Sequence, residues 1–106
     1  MTDSTQKVSA VVKLVAKAGR RDEIVQAFAD ARPLVDAEPG TEHYSLHLDQ
    51  GDGDVAWVVE VYADQAAFEA HSGGAVIASL MGALGDSLAE GGFEMHLATP
   101  TPSKGI

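Results

Sequence analysis

Two kinds of apolar spacing alternate along this chain in a fixed order, and that order restricts its fold more than any other feature. Residues 8–17 place Val8, Ala10, Val12, Leu14 and Ala16 on one face at a period of two, with Ser9, Val11, Lys13 and Val15 on the other. Gly19 breaks this strand, and residues 21–37 switch to helical spacing, with Ile24, Val25, Phe28, Ala31 and Val35 along one side. Pro33 lies within that helix, lacks the backbone donor the ladder needs, and predicts a kink near Ala29. Glu38-Pro39-Gly40 ends the helix. Residues 41–49 and 55–62 return to alternation, and the DQGDGD run between them predicts a hairpin loop. Asp64 is placed to cap a short helix over residues 65–71, because its carboxylate can accept the free N–H groups of the first turn. After Gly73-Gly74, residues 75–89 predict another helix, with Ile77, Leu80, Met81, Leu84 and Leu88 as its apolar side. Gly91-Gly92 then leads into a last strand over residues 93–98.

The element order is therefore β-α-β-β-α-β, the split βαβ arrangement of a ferredoxin-like α+β fold with an antiparallel sheet. A length of 106 residues fits a single domain, and a hydrophobic fraction of 45% is enough to fill its core. Residues 1–6 and 99–106 are expected to be flexible ends. Helices on one face of four strands leave the other face uncovered. Around Val11 that face is partly apolar, so a second copy packed against it is expected, giving a homodimer in the form of a dimeric α+β barrel. The balance of 7 Lys+Arg against 16 Asp+Glu repels phosphate backbones and anionic lipid, so neither a nucleic acid nor a membrane is an expected partner. The absence of cysteine excludes disulfides, thiolate metal sites and a cysteine nucleophile. The polar MTDSTQK start lacks the apolar segment of a secretory signal, which predicts a cytoplasmic protein.

The side-chain pattern of the hairpin predicts a register. Tyr44, Leu46 and Leu48 share a face with Val55, Trp57, Val59 and Val61 only if even positions oppose odd ones, for instance Leu46 opposite Trp57. That register puts His43 opposite Glu60, with Ser45, His47, Val58 and Tyr62 on the same face, a polar cluster able to bind the oxygen atoms of a small aromatic. His71, near the end of its helix, is the candidate general base, because an imidazole titrates near working pH. Trp57 and Phe68 can stack on a flat ring, Tyr62 can donate its hydroxyl, and Glu60 and His43 can orient or polarise a bound molecule. As core positions, the aromatics would serve packing instead, and Glu60 would satisfy a cross-strand partner. No metal site is expected: His43, His47, His71 and His96 lack a local ligand cluster, and His43 and His47 stand too far apart on a strand to share an ion. GDGD lacks the following glutamate of a calcium loop. AEGGF lies between helix and strand, the reverse of a phosphate loop, so no nucleotide or flavin cofactor is expected.

The segments PGTEHYSL, VVEVYAD and QAAFEAH, taken in order, resemble the antibiotic biosynthesis monooxygenase superfamily over residues 8–97. The resemblance rests on a glycine-led first helix, an E-P-G turn, a strand of the vEvW type and a short helix carrying F-x-x-H. It implies a dimeric α+β barrel with a pocket in each subunit between the sheet and the second-half helices. Family enzymes include quinol and polyketide-anthrone monooxygenases that use O2 with neither metal nor flavin. The deprotonated substrate itself reduces oxygen while the protein takes a proton, holds the anion and excludes water. On this resemblance the chain is expected to be a cofactor-independent monooxygenase of a small phenolic, quinol or polyketide-type aromatic, with His71 catalytic. Tyr62, Glu60, Trp57, Phe68 and His43 are then expected to bind substrate. A non-catalytic barrel that binds a hydrophobic small molecule is the alternative. The haem-degrading branch uses an Asn on the first strand and a His on the second-half helix. Val12 stands at the first position here and residues 75–84 contain no His, which disfavours that chemistry. Tyr62 replaces the usual Trp of the vEvW strand, and a second His seen after F-x-x-H in some relatives is missing.

Overall fold

A computed structural model describes residues 6–106; of the flexible start expected for residues 1–6, residues 1–5 lie outside the described residues. The elements are β1 (Val8–Ala16), α1 (Arg21–Asp36), β2 (Thr41–Leu48), β3 (Val55–Tyr62), α2 (Gln65–Ser72), α3 (Ala75–Leu84) and β4 (Leu88–Ala98). The strands form one antiparallel sheet in the order β2-β3-β1-β4, the ferredoxin-like arrangement. All three helices lie on the face that carries Val12, Leu14 and Ala16, and the core closes between these side chains and Ile24, Ala27, Ala31, Val35, Val76 and Leu80. Among the described residues no helix is long and apolar enough to cross a membrane.

Local chemistry explains most boundaries. Asp64 caps α2 through its Oδ1, which accepts the Ala67 N–H at 2.8 Å. α1 runs as one helix past Pro33 to Asp36, and the Ala37 N–H closes it on the Pro33 carbonyl at 3.2 Å. The long helix expected over residues 75–89 stops at Leu84 instead. Its apolar spacing does continue to Leu88, but residues 85–87 are held as a turn by the β1–α1 connection. Lys17 N–H donates to the Ser87 carbonyl at 2.8 Å, the Ser87 hydroxyl donates to Glu23 at 2.8 Å, and Asp86 pairs with Lys17 and Arg20. Leu88 consequently begins β4, opposite Ala16. β4 then bulges between the partners of Ala16 and Leu14. Gly91 adopts φ 70°, and a Cβ on Gly92 would meet the Val15 carbonyl oxygen at 2.4 Å, so glycine is required at both.

The hairpin register is shifted by one residue from the expected one. Tyr44 pairs with Glu60, Leu46 with Val58 and His47 with Trp57, and the pairing is irregular between Thr41 and His43. Because side chains alternate, this slip exchanges the faces. Glu60 joins Tyr44 and Val58 on the helix side. His43, Ser45, His47 and Trp57 stand on the opposite face. The expected His43–Glu60 pairing therefore does not occur. β3 reads VAWVVEVY, apolar on both sides, so its pattern does not reveal which set faces the core.

Candidate active site

α3 packs mainly on α1 and α2 rather than directly on the sheet, and a cavity of about 480 Å³ lies beneath it. Its floor runs from Tyr44 on β2 and Glu60 on β3, over Val12 and Leu14 on β1, to Phe93 and Met95 on β4. It therefore crosses the whole sheet, roughly 14 Å at ordinary strand spacing. Phe28, Phe68, Leu80 and Met81 form much of the remaining wall. Among the described residues no helix packs over β4, so the β4 end forms the mouth, where Met81 is 72% and Phe93 60% exposed. The β2–β3 end is deep and polar.

His71 sits at that deep end, only 3% exposed. Its Nδ1 lies 2.8 Å from Glu38 Oε1, which also accepts the Thr41 hydroxyl at 2.9 Å. A carboxylate accepts, so Nδ1 carries the hydrogen, and the neutral ring presents a lone pair at Nε2. Nε2 is buried and has no hydrogen-bond partner among the described residues. The ring is wedged between Tyr44 and Tyr62, with centroid distances of 5.2 and 5.1 Å. The E-P-G turn brings Glu38 here by packing directly on α2: a Cβ on Gly40 would fall 2.4 Å from the Ala67 Cβ.

Glu60, 5% exposed, accepts the Tyr62 hydroxyl. Burial raises its carboxyl above the ordinary range, although the Tyr62 bond and the nearby His71 favour the ionised form. Burial, then the hydrogen bond to Glu60, raises the Tyr62 phenol, and burial beside Glu60 and Glu38 raises that of Tyr44. Both tyrosines are therefore neutral hydroxyls at physiological pH. A carboxyl whose folded pKa exceeds its unfolded value costs stability once pH rises above the unfolded value, and costs little below it. Replacing Glu60 with Gln removes that titration while keeping an oxygen to accept from Tyr62. Thermal melts should show E60Q gaining stability relative to wild type at pH 8 compared with pH 4; equal differences at the two pH values would contradict this.

Of the residues singled out in the sequence, His71, Glu60 and Phe68 line the cavity. Tyr62 stands behind them, fully buried, with its ring edge-on to Phe68 at 5.5 Å. His43 and Trp57 are not brought to the cavity. The Trp57 indole donates to Asp49 at 2.9 Å and lies under Lys13, on the other face. His43 and His47 lean toward each other more than strand spacing suggests, each with Nε2 2.8 Å from the Ser45 hydroxyl. Among the described residues no group of three His, Cys, Asp or Glu side chains is arranged to hold a metal ion. Glu38 was missed as a site residue, and the available signal was its charge. Pro39 and Gly40 suffice for the turn, so a glutamate ahead of them invites a search for a partner. Tyr44, Met81, Phe93 and Met95 also line the cavity, but in the sequence Tyr44 and Met81 read only as apolar positions of a strand and a helix, and residues 93 and 95 only as part of the last strand.

The family described as antibiotic biosynthesis monooxygenase matches residues 7–81. No curated protein matches the chain. Among solved structures, a candidate antibiotic biosynthesis monooxygenase from Caulobacter crescentus CB15 is similar at TM-score 0.84 and 23% identity, covering 93% of each chain. NE2512 from Nitrosomonas europaea, a protein of unknown function, matches at TM-score 0.81 and 25% identity, covering 96% of each. SnoaB, a cofactor-independent oxygenase from Streptomyces nogalater, matches at TM-score 0.78 and 18% identity, covering 95% of this chain and 99% of SnoaB.

Proposed function

Because the chain belongs to the antibiotic biosynthesis monooxygenase family, we propose that it oxidises a phenolic, quinol or polyketide-type aromatic with O2, without metal or organic cofactor. The observation that carries this reading is the unpartnered Nε2 of His71, buried at the polar end of an otherwise apolar cavity. An imidazole held this way, with Glu38 on its other nitrogen, is a general base able to take a proton from a bound hydroxyl or an acidified C–H. The resulting electron-rich anion transfers electrons to O2, and a carbon–oxygen bond forms. The peroxide anion takes its proton back from His71; His71 then removes the remaining C–H proton as the O–O bond breaks, and passes it to the departing hydroxide to give water. In net terms a CH2 and O2 become C=O and H2O; the substrate supplies every electron, and no external reductant is needed. The apolar walls exclude water from the anion, Phe68 packs on the ring, and Glu60, oriented by Tyr62, holds the polar head.

The reading includes a homodimer. The sheet face away from the helices carries Val11, 41% exposed, beside partly buried Val15, Trp57 and Val59, an apolar strip suited to a second copy. A mass in solution of one 11.0 kDa chain would remove the dimer. Activity is tested by oxygen uptake in chelator-treated protein with a panel of anthrones, naphthols, catechols and quinols. Uptake is expected with at least one of them, one O2 per product. Ligands that bind with no uptake across the panel would leave a binding barrel and no enzyme.

A further inference from the structure

We propose that the cavity selects aromatic ligands by charge, admitting uncharged phenols and esters and rejecting carboxylates of the same shape. This rests on the cavity being the substrate site proposed above, and it narrows the substrate class.

All seven Lys and Arg side chains belong to the described residues, and none lines the cavity. Lys7 pairs with Glu42, Arg32 with Asp36, and Lys17 and Arg20 with Asp86. Arg21 donates to the carbonyls of Asp49, Asp52 and Val55, and Lys13 lies over Trp57 on the far face. Lys104 is exposed in the segment after β4. At the polar end of the cavity the formal charges are instead those of Glu60 and of Glu38 behind His71. Among the described residues His71 is the single group there able to become positive, and its Nδ1 already faces Glu38, so that charge is matched once it forms. A ligand hydroxyl placed on Nε2 brings its ortho substituent into the company of Glu60 and Tyr44, which pair across β3 and β2. A carboxylate in that place loses its hydration, meets no cation and adds to the negative potential of Glu60. A methyl ester has the same acceptor oxygens, is larger, and carries none of this cost.

The test uses 2-naphthol, 3-hydroxy-2-naphthoate and methyl 3-hydroxy-2-naphthoate as probes, titrated into the intact protein at pH 7.5 by calorimetry. Methyl-group NMR of Met81 and Met95 reports whether a probe occupies the cavity. The ester and the naphthol should bind and shift both methyl signals, and the acid should bind at least ~30-fold more weakly than the ester, the consequence of a desolvated, unpaired charge. In E60Q the gap between acid and ester should narrow. An acid binding within that factor of the ester overturns the proposal, as does ester binding that leaves Met81 and Met95 unshifted, or failure of all three probes to bind. These are binding measurements, so an ester that binds in the cavity of a protein showing no oxygen uptake across the panel above would leave this selectivity standing while the monooxygenase reading ends.

Discussion

Replacing His71 with alanine is expected to lower oxygen uptake by about 10²–10⁴-fold, the usual contribution of a positioned general base. The side chain sits at the C-terminal end of α2 and is not part of the apolar cluster beneath α1 and α3. Its removal deletes one hydrogen bond to Glu38 and leaves a ring-sized space, which costs roughly 1–3 kcal/mol and leaves the domain folded. That space also permits a control. Added imidazole can enter it and should restore part of the rate, because the missing function is a nitrogen lone pair at the cavity wall. Circular dichroism would confirm folding, and an oxygen electrode would follow uptake with and without imidazole. A variant within tenfold of wild type would show that another group takes the proton, and the Glu60 carboxyl would become the base to test.

The second large effect is expected from Gly40→Ala, a change of one methyl group on the outer rim of the site. That methyl would lie 2.4 Å from the Ala67 Cβ, where ordinary carbon contact is about 3.5–4.0 Å. Two backbones, the E-P-G turn and α2, would have to separate by more than an ångström, since no flexible side chain is available to give way. Overpacking of this kind costs about 1–3 kcal/mol, or roughly 4–20 °C in melting temperature for a domain of this size. The separation also pulls Glu38 from His71, so oxygen uptake should fall with stability. The double variant G40A/A67G returns the space and should recover much of both, less the helix cost of a glycine in α2. An unchanged melting temperature in G40A would refute the close packing of turn and helix on which the placement of His71 depends.

Most of the fold was legible because single residues set its boundaries. The alternation of β1, the Asp64 cap, the glycine pair before α3 and the hairpin loop each have one local explanation, and each lies where the sequence puts it. The site was half legible for a related reason. His71 and Phe68 sit on a short amphipathic helix whose direction is fixed by its cap, and both face the cavity. His43 was drawn into the site by a register argument that fails on β3, and Trp57 by the ability of its ring to stack on a flat molecule. When a strand is apolar on both faces, period two carries no information about which face is buried. The deciding factors were long-range: Ala56 and Val58 join the buried cluster beneath the helices, and Tyr44 on β2 pairs with Glu60 on that same side. The end of α3 was hidden likewise, because the turn at residues 85–87 is fixed by partners near residue 20. Glu38 and His71, 33 positions apart, could be joined only by the packed structure.

The central position of β1 has a consequence for how the molecule is made. One edge of β1 is taken by β3, and the other waits for β4, so Ser9 meets Ala98 only after the residues between them have been made. A nascent chain can form the α1, β2 and β3 portion early, yet it carries an open, valine-rich edge until the last strand leaves the ribosome. Closure of the sheet is therefore a late, long-range event that sets a slow pace for folding. The same strand completes the wall of the cavity with Phe93 and Met95. A chain still lacking β4 can thus hold His71 and the E-P-G turn, but not the finished wall of the cavity.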